Sequence, residues 1–198
     1  MGRGGERLAV AIQLDLLTKV TDDALLRLSR HNPGYRFERT PEGMVIVSPT
    51  GGDSGRRSGE VFAQLHVWNG HSGLGIAFDS STGFNLPDGS CRSPDASWVA
   101  RERWESLGRS ERRGFPPLCP DAAFEVRSES DSLADLRAKM RDYLGNGARL
   151  AVLVDSEARS VEVYRSGQAP ERHQGDAAIT LDPELPGFSL DPGPVFQD

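Results

Sequence analysis

Residues 121–154 read DAAFEVRSESDSLADLRAKMRDYLGNGARLAVLV, and this stretch decides the fold class because its hydrophobic period changes twice. Asp121 to Arg127 alternates as a strand does. Ala122, Phe124 and Val126 fall on one face, and Ala123, Glu125 and Arg127 on the other. Asp131 or Ser132 then caps a helix to about Gly145, with Leu133, Leu136, Met140, Tyr143 and Leu144 as its apolar stripe. Leu150 to Val154 is a continuous apolar run, the pattern of a central strand buried on both faces. Strand, amphipathic helix and buried strand in succession predict a mixed α/β domain on one central sheet.

The flanking sequence extends that reading. Residues 1–34 form an N-terminal helical arm, in which Thr21-Asp22-Asp23 caps a short helix through about Arg30. The main domain spans 35–198. It opens with a hairpin, Tyr35 to Arg39 and Met44 to Val47, joined by Thr40-Pro41-Glu42-Gly43. A helix is expected over 53–69, with Val61, Phe62, Leu65 and Trp68 at helical spacing. Short strands follow at 76–78 and 83–86, and a further strand runs from Asp95 to Ala100. Ser160 to Arg165 alternates as an edge or half-exposed strand does, and Leu185 to Leu190 is expected to pack on the core as a lid.

Composition narrows the function classes. The chain has 198 residues, 37% hydrophobic and 26% charged, enough for one domain with a substantial core. Its net charge of −6 argues against broad non-specific nucleic-acid binding, though a local basic patch remains compatible with it. Segment 101–113 mixes five arginines with Glu102, Glu105 and Glu111, which favours a solvated face over a binding patch. Cys91 and Cys119 form no CxxC; one disulfide or two idle thiols both fit, and a reducing cytoplasm favours thiols. The apolar run Leu8 to Ile12 is cut short by Gln13 and Asp15, so neither a signal peptide nor a membrane span is expected. His66 and His71 are five apart and do not make a helical zinc pair, and Gly51-Gly52 lacks the rest of a phosphate loop.

One constellation carries chemistry. An acidic residue on an otherwise apolar strand is costly unless paired or metal-bound, so Glu125 needs either an arginine partner or a cation. Asp95 opens its own strand after Pro94. Two carboxylates at neighbouring strand ends are suited to Mg²⁺ or Mn²⁺, with coordination sites left for water and a phosphate oxygen. Of 23 basic residues only Lys19 and Lys139 are lysines. Lys139 falls at the edge of the apolar stripe beside Leu136 and Tyr143, from where it can orient or deprotonate an attacking water. Arg137 falls near the opposite edge. Glu60, which starts the apolar part of the 53–69 helix, is a further candidate, reaching metal through a water or standing as a solvated helix glutamate.

Pro94-Asp95 followed by Glu125-Val126-Arg127 resembles the PD-(D/E)XK nuclease superfamily. More specifically, the chain resembles a large bacterial family named "putative restriction endonuclease". GMVIVSPT (43–50), TGFNLPDGSCRSPDASWVARERW (82–104), residues 115–165 and LPGFSL (185–190) carry the likeness. The resemblance implies a restriction-endonuclease-like core, a central mixed β-sheet flanked by α-helices. It implies a site of Asp95, Glu125 and a basic residue, a Mg²⁺ or Mn²⁺ cofactor, and a DNA substrate. Many superfamily members place lysine two residues after the glutamate, where Arg127 stands here. In this family the lysine has moved to the following helix, and Lys139 matches that place, leaving Arg127 to assist phosphate or structure. A histidine often found before the first core helix is absent, and Ser54 or a neighbour takes its place. The chain is thus expected to be a cytoplasmic, metal-dependent DNA endonuclease, and homodimers are common among such enzymes. The alternative is a catalytically silent module that keeps the fold for nucleic-acid or protein binding.

Overall fold

The structure is a computed structural model and describes residues 11–16, 18–49 and 51–197. Strand β1 (Ile12–Leu14) and helix α1 (Asp22–His31) lead into a hairpin of β2 (Tyr35–Arg39) and β3 (Val45–Pro49). Helix α2 (Gly52–Ser72) is followed by β4 (Gly75–Asp79), β5 (Phe84–Asn85), β6 (Cys91–Arg92) and β7 (Ala96–Ala100). The arginine-rich segment forms two short helices, α3 (Arg101–Ser106) and α4 (Arg109–Arg113). The deciding stretch becomes β8 (Ala122–Arg127), α5 (Leu133–Gly145) and β9 (Leu150–Asp155). After it come β10 (Ser160–Arg165), β11 (Glu171–Gln174), β12 (Ile179–Thr180), β13 (Ser189–Leu190) and α6 (Gly193–Phe196).

The principal sheet has six strands in the order β11-β10-β9-β8-β7-β4. It is mixed: β8 and β9 run parallel and the other pairs antiparallel. A parallel pair needs a crossover, and α5 supplies it. The helix is capped by Ser132, whose hydroxyl accepts from the Asp135 N–H at 3.3 Å. Its far end turns at Gly147, whose φ of +99° suits a residue without Cβ. Val61 and Leu65 of α2 pack with Phe124, Val126 and Phe188 on one face of this sheet. Met140 and Tyr143 of α5 pack with Ala123, Ala151 and Leu153 on the other. The 185–190 segment joins the first of these clusters through Leu185, Phe188 and Leu190.

A second sheet of five short strands, β1-β3-β2-β6-β5, was not legible as a unit. The hairpin acquires β6 through a single pairing, Arg39 with Cys91, and β1 on its other edge. Residues 12–14, expected as part of a helical arm, are therefore a strand. The physical reason is tertiary: three residues pair with a ready edge at Val45 to Val47, which outweighs local propensity. The chain passes from the small sheet to the large one at Ser93-Pro94-Asp95, between β6 and β7. That crossing leaves a cleft between the sheets, floored by β8 and walled by α5. Among the described residues no helix is long and apolar enough to cross a membrane.

Candidate active site

A cavity of about 410 Å³ opens in this cleft, and Asp95, Glu125 and Lys139 all line it. Each arrives by its own element. Asp95 sits where Pro94 ends the small sheet, and its Oδ2 accepts from the Val126 N–H at 2.8 Å, past the end of the β7–β8 ladder. Glu125 projects from the α5 face of β8, 4% exposed. Lys139 projects from the edge of the α5 stripe, and its Nζ lies 2.8 Å from Glu125 Oε1.

Around this cavity stand residues that the sequence did not single out for chemistry. Glu38 of β2 accepts from Lys139 Nζ at 3.0 Å and from the Ser93 N–H at 2.7 Å. Arg92 of β6 lies 3.9 Å from Glu38 and 3.4 Å from Asp142. Arg36, also on β2, reaches Asp95 Oδ1 with its Nη1 at 2.5 Å. Tyr143, one turn after Lys139, donates its hydroxyl to Glu125 Oε1 at 2.8 Å. The spacing of four residues sets a cation and a phenol over the same carboxylate.

One lysine bridges Glu38 and Glu125, yet the two carboxyls shift in opposite directions. Burial pushes Glu38 up, but Lys139, Arg92 and the Ser93 N–H more than offset it and hold it below the ordinary value. Burial also pushes Glu125 up, and there the lowering by Lys139 is countered by Asp95 and Glu38; the carboxyl stands at about 7. Burial works against the Lys139 charge, but Glu125 and Glu38 outweigh it and raise the pKa above its ordinary value. Lys139 therefore keeps its proton, which suits it to orienting water and offsetting phosphate charge rather than to removing a proton.

Arg127 and Glu60 stand apart from this cluster. Arg127 shares its strand face with Glu125 but pairs with Asp155 at 3.0 Å and Glu157 at 3.1 Å. It lines a neighbouring cavity of about 230 Å³ with Arg36 and Arg57. Glu60 is half-buried on α2 and lines neither cavity, because α2 packs on the Phe124 and Val126 face of β8, opposite to Glu125. Arg137, at the far edge of the α5 stripe, pairs with Glu162 of β10 instead. Cys91 and Cys119 are buried free thiols.

The donor set suits a hard divalent cation. Asp95 and Glu125 supply carboxylate oxygens to one cavity, from the start of β7 and from the adjacent β8. Among the described residues, no three His, Cys, Asp or Glu side chains stand as a ready-made metal cluster. The two carboxylates fit a metal whose remaining ligands are water and substrate.

The sequence profile of the Uma2 family, described as "Putative restriction endonuclease", matches residues 22–193. Among solved structures, the chain is similar to a protein from Anabaena variabilis ATCC 29413, described as a putative nuclease belonging to DUF820. The two share 22% identity with a TM-score of 0.71, over 89% of this chain and 97% of the other. That likeness shows the fold. No protein with a curated description matches. With the profile covering the whole principal sheet and Arg36, Glu38, Arg92, Asp95, Glu125 and Lys139, the chain belongs to the putative restriction endonuclease family.

Proposed function

We propose that this protein is a divalent-metal-dependent endonuclease that hydrolyses phosphodiester bonds in DNA in the cytoplasm. One observation carries the reading: Asp95, Glu125 and Lys139, chosen from sequence and separated by up to 44 positions, line one cavity with Lys139 directly on Glu125. Asp95 and Glu125 would hold Mg²⁺ or Mn²⁺, which when bound supplies Lewis-acid charge beside the scissile phosphate. Lys139, held charged, orients the attacking water and offsets charge that builds on phosphorus. Glu38 and Tyr143 fix the direction from which Lys139 and Glu125 act. The DNA part of the reading draws on Arg36, Arg57 and Arg127, three guanidiniums that line the adjoining cavity alongside Asp53, Glu129 and Asp131.

The ion pairs favour a second reading. Every carboxylate in the cluster already faces a cation, as a silent module would arrange it. Cleavage of single- and double-stranded DNA by purified protein, with Mn²⁺ or Mg²⁺, decides between the two. Activity that disappears in Asp95→Asn and in Lys139→Ala supports the nuclease. No cleavage of either substrate selects the silent module.

A further inference from the structure

Three cations stand in the cleft, each on a carboxylate: Arg36 on Asp95, Lys139 between Glu125 and Glu38, and Arg92 beside Glu38 and Asp142. A divalent cation held by Asp95 and Glu125 would sit directly beside resident cations in a mostly buried space, where repulsion between like charges is strong. Either a resident cation withdraws or an anion enters. Lys139 is bound between two carboxylates, and Arg92 is only 10% exposed. Arg36 differs from both: its side chain is 24% exposed, and Asp95 is its ion-pair partner. It is also the one cation, among the described residues, that lines both the 410 Å³ cavity and the 230 Å³ cavity beside it. A guanidinium at that shared wall can turn away from Asp95 without leaving a polar environment, and its planar fork matches a phosphate.

We propose that Arg36 is a displaceable counter-ion of Asp95. It closes the metal position while no nucleic acid is bound, and it exchanges the carboxylate for a backbone phosphate when nucleic acid arrives. This rests on the metal-dependent reading of the same site. One oxygen of Asp95 accepts from the Val126 N–H and the other from Arg36, so a cation approaching the second oxygen meets the guanidinium charge unless Arg36 moves. A guanidinium does not give up its proton, so relief comes from movement of the side chain. Metal and nucleic acid then bind cooperatively, each raising the affinity for the other by the same factor.

The test is calorimetric titration of Mn²⁺, without nucleic acid, into the full-length protein, Arg36→Gln, and the double variant Arg36→Gln with Asp95→Asn. If the closed pair holds about nine-tenths of the molecules, removing it tightens apparent Mn²⁺ binding about tenfold. That gain, lost again in the double variant, supports the proposal. Should Arg36→Gln bind no tighter while the unmodified protein binds through Asp95, the counter-ion role is overturned and the metal site stands. Absence of binding in all three proteins overturns the metal reading and this proposal with it. Arg36→Lys guards against a misfolded glutamine variant: it keeps a cation but loses the fork, and several-fold tighter binding than the unmodified protein is expected. Equal binding there overturns the proposal. In the unmodified protein, a phosphorothioate-linked deoxydinucleotide should tighten Mn²⁺ binding, and in Arg36→Gln that coupling should fall away.

Discussion

Glu125 and Glu38 show at the scale of single residues how one cation produces two different carboxyls. Glu125 stands near 7, against an ordinary value of 4.5, so between those values the folded protein holds a proton that the unfolded chain has released. Its contribution to stability is complete below about pH 4.5 and is lost as pH rises through about 7, a change on the order of 3 kcal/mol. Glu38 behaves oppositely and in a lower window: held below 4.5, it stabilises above that value and the contribution is lost as pH falls. Urea unfolding at several pH values should therefore show the unmodified protein losing stability between about pH 4.5 and 7.5 relative to Glu125→Gln. Parallel curves for the two proteins would show that Glu125 is not held protonated. Glu125 could be picked from sequence because a charge interrupts an apolar strand. Glu38 could not: Arg36 and Glu38 share one face of a hairpin, which reads as an ordinary solvent face. What buries that face is α5, contributed about a hundred residues later, as the Glu38–Lys139 pair shows.

The α5 helix is the element on which the site turns. Its apolar stripe, cap and boundaries were readable because period and capping are local properties. The stripe also placed Lys139 at an edge, and Lys139 does meet the strand carboxylates there, with Arg137 directed to β10. The stripe misled in one respect. Tyr143 was grouped with the leucines, and its ring is indeed buried, but its hydroxyl donates to Glu125. Tyrosine carries both roles, and periodicity reads only one. Tyr143→Phe removes a hydrogen bond to a buried carboxyl and should cost about 1 kcal/mol of unfolding free energy, with the helical circular dichroism signal retained. A neutral substitution would mean that the phenol does not support Glu125. The small sheet was harder to read, since β5 and β6 have two residues each and pair through contacts that no periodicity announces.

At the scale of the whole molecule, two sheets meet at Pro94-Asp95, and the site lies along their seam. Arg39 ties the seam to the N-terminal segment: buried on β2, it donates to Val20 O, Asp22 and Gly89 O. Net charge does not disclose this arrangement, because arginines and carboxylates are mixed along the walls of both cavities. The central claim is that Asp95 and Glu125 jointly hold a divalent cation when a phosphodiester lies in the cleft. Anomalous diffraction from crystals grown with Mn²⁺ and an uncleavable phosphorothioate DNA tests it directly. The account predicts a manganese peak about 2.2 Å from oxygens of both Asp95 and Glu125, with Arg36 turned from Asp95 toward a phosphate. DNA bound in the cleft with no manganese peak between those two carboxylates would contradict it.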